Sequence, residues 1–152
     1  KYSLASSVIG EKRRLIAVGS GFQTKQSRSS ESMKLISWGL RNTNTYEISE
    51  RNKPNFEFKT WLGKKEKIKG KTNEDVFITL NKKDIRNFKV FIKYEGPLKA
   101  PIKENDEIGE IIIKTNNDED IIVPVYASET VEKVNFFKSL FMSFNYMIWG
   151  DV

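Results

Sequence analysis

Six short runs rich in β-branched and aromatic residues follow one another between residues 45 and 127, and they constrain the fold more than anything else in this chain. They are TYEI (45–48), FEFKTWL (56–62), VFITL (76–80), FKVFIKY (88–94), GEIIIKT (109–115) and IIVPVYA (121–127). Polar or glycine-containing turns separate them at short, fairly regular intervals. Runs of this length pair with near neighbours and bury one face, so the pattern predicts a small antiparallel sandwich or barrel. Residues 116–120 (NNDED) read as the turn between the last two strands. Pro124 cannot donate a ladder hydrogen bond, which predicts an edge position or a bulge there.

The first 44 residues have a different texture. Residues 2–9 and 14–19 read as a hairpin about a turn at 10–13, followed by a loop over 20–24. A helix is predicted to start within residues 27–30, with Ser29 as N-cap and Glu31 and Ser32 in the first turn. It runs through Met33, Ile36, Trp38 and Leu40 and ends near Arg41 and Asn42. A domain boundary falls near residues 44–48. A strand-strand-helix unit is too small to bury a core alone, so 1–46 is expected to belong to a larger domain lying upstream. The chain opens directly in a strand-like pattern, with no initiator Met and no signal peptide before Lys1, as a fragment or a processed product would.

The last stretch, 135–152 (NFFKSLFMSFNYMIWGDV), returns to helical spacing. Phe136, Phe137, Leu140, Phe141, Phe144, Met147 and Ile148 fall on one arc of a helical wheel, with Lys138, Ser139, Ser143 and Asn145 outside it. The apolar run is shorter than the ~20 residues a spanning helix needs. It fits either a helix packed on the protein's own core or one lying in a membrane interface. Trp149 and Tyr146, each with an apolar ring and a polar atom, suit that boundary. The heavy aromatic load and the position at the chain's end favour the membrane.

Composition narrows the chemistry. The chain contains no Cys and no His, which excludes Cys/His zinc sites and any Ser-His-Asp or Cys-His catalysis within these 152 residues. Its 26 basic and 20 acidic residues leave a net charge of +6 that is spread along the chain. Such an excess suits an anionic membrane surface or polymer. No basic-aromatic motif of a nucleic-acid-binding fold accompanies it, so no nucleic-acid partner is expected. The sequence contains no S-x-x-K, no Lys-Thr-Gly, no G-x-G-x-x-G and no phosphate loop. Ser143-Phe144-Asn145 spells S-x-N, but inside the amphipathic segment. The acidic runs 104–107 and 117–120 lack the alternating spacing of a Ca²⁺ loop and read as solvated turns. No metal and no cofactor is expected. Arg28, in a serine-rich stretch at a helix start, could bind a carboxylate bidentately beside the helix N–H groups, or could simply be a solvated surface side chain.

Four stretches, in order, resemble the low-molecular-mass penicillin-binding proteins, the serine-type D-alanyl-D-alanine carboxypeptidases. Tyr2-Ser3-Leu4-Ala5-Ser6-Ser7 with Arg14-Leu15-Ile16-Ala17-Val18 is similar to the strand pair just downstream of that family's Lys-Thr-Gly box. Arg28, Glu31-Ser32 and Lys34-Leu35-Ile36-Ser37-Trp38-Gly39-Leu40-Arg41-Asn42 resemble its last catalytic-domain helix. Glu74-Asp75-Val76-Phe77-Ile78-Thr79-Leu80, Gly96-Pro97-Leu98-Lys99-Ala100-Pro101, Gly109-Glu110 and Val123-Pro124-Val125 resemble its β-rich C-terminal domain. Asn135-Phe136-Phe137 opens a terminal anchor as in that family. Lys1 stands where the family has Gly, and Phe22-Gln23-Thr24 replaces a more Gly-rich loop.

The resemblance implies a mainly β chain in three parts. Residues 1–46 would be the tail of an α/β transpeptidase-like (serine β-lactamase-like) domain, 47–131 a small antiparallel β-sandwich, and 132–152 an amphipathic membrane-anchor helix. The residues that would carry the anchoring are Phe136, Phe137, Leu140, Phe141, Phe144, Met147, Ile148 and Trp149. It implies that Arg28 helps recognise the terminal carboxylate of peptidoglycan stem peptides. It also implies that the Ser nucleophile and Lys base lie outside this chain, so that β-lactams would acylate only the full-length protein. The implied location is the periplasmic face of a bacterial inner membrane. The rival reading is a non-catalytic β-sandwich binding module docked to a membrane or protein partner.

Overall fold

A computed structural model describes residues 1–10, 13–115, 119–135, 140, 143–145, 147, 148 and 150. The chain is mainly β and divides into two compact units: Lys1–Tyr46 with Ile78–Arg86, and Glu47–Phe77 with Asn87–Val152.

In the first unit, β1 (Tyr2–Gly10) and β2 (Arg13–Phe22) form an antiparallel hairpin, and α1 (Lys25–Asn42) follows. Pairing Ser6 with Ala17 and Val8 with Leu15 puts these residues on one face, and that face packs on the helix. Ala17 is buried there, and a Cβ on Gly39 would come within 3.3 Å of Leu15 Cδ1. The opposite face carries Ile9, Ile16 and Val18, which are 69, 69 and 72% exposed. The helix starts at a capping box in which the Ser27 N–H donates to Thr24 Oγ1 at 2.9 Å and the Thr24 N–H donates to Ser27 Oγ at 3.1 Å. At its far end Arg13 reaches over from β2: Nη1 donates to Thr43 Oγ1 at 2.8 Å and Nη2 to the Thr43 carbonyl at 2.6 Å. A cation held there complements the negative end of the helix dipole.

Two strands, β3 (Thr43–Ser49) and β6 (Val76–Asn81), make a separate two-stranded ribbon that the chain shares between the units. Thr45 and Thr79 hydroxyls meet at 2.8 Å in its first-unit part.

The second unit holds β4 (Phe56–Trp61), β5 (Lys67–Lys71), β7 (Lys89–Lys93), β8 (Leu98–Lys99), β9 (Glu107–Lys114) and β10 (Ile121–Ala127) in one sheet, ordered β7-β9-β10-β5-β4-β8. All pairings are antiparallel except β4 with β8. A flat six-stranded sheet would hold its edge strands about 24 Å apart. The edge strands β7 and β8 are joined by residues 94–97 alone, a link that spans at most ~17 Å. The sheet must therefore curl. Inside the curl lie Phe58, Ile68, Ile111, Ile113, Val125 and Val131, all fully buried. Alternation delivers them: Ile111 and Ile113 face inward while Ile112, between them, does not. Two glycines allow the close packing. A Cβ on Gly70 would lie 2.5 Å from both Phe58 Cε2 and Val125 Cγ1, and one on Gly109 would lie 2.9 Å from the Lys93 carbonyl. The buried hydroxyls of Ser49 and Thr72 satisfy each other at 2.7 Å.

The strands at 45–48, 56–62, 76–80, 88–94, 109–115 and 121–127 all form, each within a residue or two of its expected ends. Other expectations are corrected. Strand β2 continues to Phe22, into the stretch read as a loop, and the helix N-cap is Thr24, not Ser29. The reciprocal Thr24–Ser27 bonds outcompete the later serine, whose own hydroxyl donates back to the Lys25 carbonyl at 3.3 Å. Strands β5 and β8 have no counterpart in the sequence reading. The expectation for Pro124 agrees with the pairing: β10 has neighbours on both sides, but it meets β5 only through Tyr126 and Ala127, so Pro124 lies where one side is open. A register shift follows between Val125 and Tyr126. The turn residues expected at 11–12 and 116–118 lie outside the described residues.

Candidate functional site

Arg28 belongs to the first turns of α1, not to a loop before it: its N–H donates to the Thr24 carbonyl at 3.1 Å. Its guanidinium carbon stands 5.9 Å from the centre of the Tyr2 ring, within reach of a cation–π attraction. Nε is buried and has no hydrogen-bond partner among the described residues. The side chain forms no ion pair there either. Arg28 is thus a half-buried cation, steered by an aromatic ring and left with unused donors. That is the condition in which a guanidinium binds a carboxylate well. Tyr2 starts β1, and Phe22, its register partner, ends β2, so Arg28 marks the end of the hairpin at which the chain enters the unit. The sequence reading picks out Arg28 but misses Tyr2 as the ring beneath it. The first residue of a predicted strand gives no periodic signal that would single it out.

In the second unit the groove beside the residues 94–97 link measures about 630 Å³ and is lined by Tyr94, Pro97, Leu98, Lys93, Lys99 and Glu107, among others. Its floor is rigid. The Tyr94 ring meets Phe58 edge-on at 4.9 Å, and a Cβ on Gly96 would fall 2.4 Å from that ring. Among the described residues no group of three or more acidic side chains is placed to hold a metal ion.

Of the expected anchor residues, Leu140, Phe144, Met147 and Ile148 have helical backbone and are more than half exposed. Phe136, Phe137, Phe141 and Trp149 lie outside the described residues. Among the described residues no helix is long and apolar enough to cross a membrane.

The chain combines a curled, mainly antiparallel β unit with a hairpin-and-helix unit, and these define the class of architecture. Residues 44–133 match the family described as Penicillin-binding protein 5, C-terminal domain, and the chain belongs to that family. It is 31% identical over 140 residues to D-alanyl-D-alanine carboxypeptidase DacD of Escherichia coli K12, covering 91% of this chain and 36% of the relative. It is 28% identical over 137 residues to carboxypeptidase DacF of Bacillus subtilis 168, covering 90% and 35%. Among solved structures, penicillin binding protein 5 from Haemophilus influenzae superposes with a TM-score of 0.68 at 28% identity, over 87% of this chain and 39% of that one. The chain spans about a third of the length of the curated relatives it matches.

Proposed function

We propose that this chain is the C-terminal portion of a membrane-anchored D-alanyl-D-alanine carboxypeptidase, an enzyme that removes the terminal D-Ala of peptidoglycan stem peptides through a serine acyl-enzyme. One observation carries the reading. The likeness to carboxypeptidases extends over 91% of the chain, well beyond residues 44–133, and so takes in the hairpin and helix. In this reading 1–46 is the tail of the catalytic domain, 47–131 a β-rich spacer and 132–152 the anchor that holds the enzyme to the periplasmic face of the inner membrane. The exposed outer face of the hairpin supports it. Ile9, Ile16 and Val18 form an apolar stripe of the kind a second layer of the same domain would cover.

Acyl transfer needs a nucleophile, its base and a group that tells a free carboxylate from an internal amide. The first two would come from sequence upstream. Arg28 would supply the third: its guanidinium stands over the Tyr2 ring, and its Nε has no partner among the described residues. The test is labelling of the whole gene product, and of this 152-residue chain, with a fluorescent β-lactam. The whole product should be acylated and should release D-Ala from a pentapeptide, and the chain alone should do neither. A whole product that neither labels nor releases D-Ala would sink the reading and leave a non-catalytic binding module.

A further inference from the structure

We propose that the free edge of β7 is a docking site for an extended segment of a partner protein, one that presents two acidic side chains four residues apart around an apolar centre. The proposal is independent of the enzymatic reading. It rests on the geometry of one strand.

Strand β7, Lys-Val-Phe-Ile-Lys, ends the order of the six-stranded sheet, so one of its sides carries unpaired N–H and C=O groups. All five residues are exposed, with Val90, Phe91 and Ile92 at 38, 47 and 42%. Its register with β9 is unbroken from Lys89 to Lys93, and it contains no proline and no bulge. Of the devices by which natural edge strands prevent pairing, this one carries only its flanking lysines, Lys89 and Lys93.

Register fixes what a partner would meet. Opposite residues share a face, so Lys89, Phe91 and Lys93 stand with Lys114, Ile112 and Glu110 on the outer face of the sheet. Ile122, paired to Ile112, continues the row, so that Phe91, Ile112 and Ile122 make an apolar band across three strands. Lys93 already has Glu110, loosely, at 3.7 Å, and Lys114 has Asp120 at 3.4 Å. Lys89 lies opposite Lys114 and has no carboxylate partner among the described residues. An incoming carboxylate opposite Lys89 would relieve that like-charge pair.

The same arithmetic excludes a second copy of this strand. Antiparallel pairing of all of β7 with another β7, centred on Phe91, places Lys89 against Lys93 at both ends, and directly opposed like charges destabilise a strand pair. A strand with an acid-x-apolar-x-acid pattern meets both lysines with opposite charge and Phe91 with an apolar side chain. Strand addition of this kind takes affinity from the backbone and selectivity from alternate side chains.

The probe is a fluorescein-labelled peptide carrying Glu-Val-Phe-Val-Glu, titrated by anisotropy against this chain. Controls are a Lys-Val-Phe-Val-Lys peptide and an acidic peptide N-methylated at alternate amides. The acidic peptide should bind about tenfold more tightly than the basic one, N-methylation should abolish binding, and amide shifts should centre on residues 89–93. Lys89→Glu with Lys93→Glu should invert the preference. Both side chains are exposed, so circular dichroism of the double variant should match the parent. Three outcomes overturn the proposal: no peptide binds, the N-methylated peptide binds as well as its parent, or the preference survives in the double variant. A dimer, detected by sedimentation, that Lys93→Glu alone strengthens, by setting Lys89 against the new carboxylate at both ends, would show that the edge serves a second copy instead.

Discussion

The guanidinium carbon of Arg28 lies 5.9 Å from the centre of the Tyr2 ring, tying the first turns of the helix to the first residue of the hairpin. A cation–π pair that keeps contact with water is worth ~0.5–1 kcal/mol, and Arg28→Ala also removes a buried Nε that has no partner among the described residues. The stability loss should therefore stay near the lower end. A charge-assisted bidentate bond to a substrate carboxylate is worth ~1.5–3 kcal/mol. In the whole gene product Arg28→Ala should lower kcat/KM about ten- to hundredfold on peptides with a free C-terminus, and little on amidated ones. Unchanged kinetics on both would remove Arg28 from the site.

Gly70 is the tightest point of the β unit. A Cβ added there would come within 2.5 Å of both Phe58 and Val125, and neither side chain can give way because both are fully buried. Gly70→Ala should destabilise the domain by ~1–3 kcal/mol through overpacking. Phe58→Ala should cost ~3–5 kcal/mol through a cavity. Urea denaturation followed by circular dichroism measures both. Wild-type stability for Gly70→Ala would mean that β4 and β10 can separate at this point.

How much of this was legible in the sequence depends on how each element signals itself. Val76, Ile78 and Leu80 alternate with Phe77 and Thr79, and β6 lies where that alternation is written. The strand β5 reads Lys-Ile-Lys-Gly-Lys, so its inward positions are one isoleucine and a glycine whose missing side chain is what the core needs. A strand with that composition carries no apolar signal. Likewise β8 is two residues long and is set by pairing with β4, not by local preference. Arg28 could be picked out as a cation near a helix start, but its helical position and its seat over Tyr2 depend on Thr24 winning the cap, a choice made by side-chain geometry.

The ion pair of Glu132 with Lys64 makes a titration prediction. The hydrogen bond from Lys64, and then its charge, hold the Glu132 carboxyl below the ordinary carboxylate range. Glu57 is held down in the same way by Lys67 at 3.0 Å. A carboxylate whose folded pKa is depressed contributes stability that is present above its unfolded pKa and lost as pH falls through the folded value. Side-chain carboxyl NMR should show both midpoints below those of free glutamate. Lys64→Met should raise the Glu132 midpoint and leave Glu57 unmoved. If Glu132 titrates normally in the parent, the pair does not form in solution.

The last prediction separates the two roles open to the C-terminal segment. The β unit is closed off by residues 131–134: the Val131 N–H bonds the Ile102 carbonyl at 2.8 Å, the Val134 N–H bonds the Leu62 carbonyl at 2.9 Å, and both side chains are buried. Beyond them Leu140, Phe144, Met147 and Ile148 are exposed. Deleting residues 135–152 should therefore leave the β unit folded, whereas cutting at residue 130 should unfold it. Buried in a lipid interface, those apolar side chains would return about 25 cal/mol per Å². That is enough for reversible peripheral binding, aided by the cationic Lys133 and Lys138. Co-sedimentation with anionic vesicles should be lost on deletion, and largely lost in Phe144→Asp. A deletion variant that pellets as well as the parent would rule out the segment as the anchor. If deletion of 135–152 instead melts the β unit, the segment is part of its core.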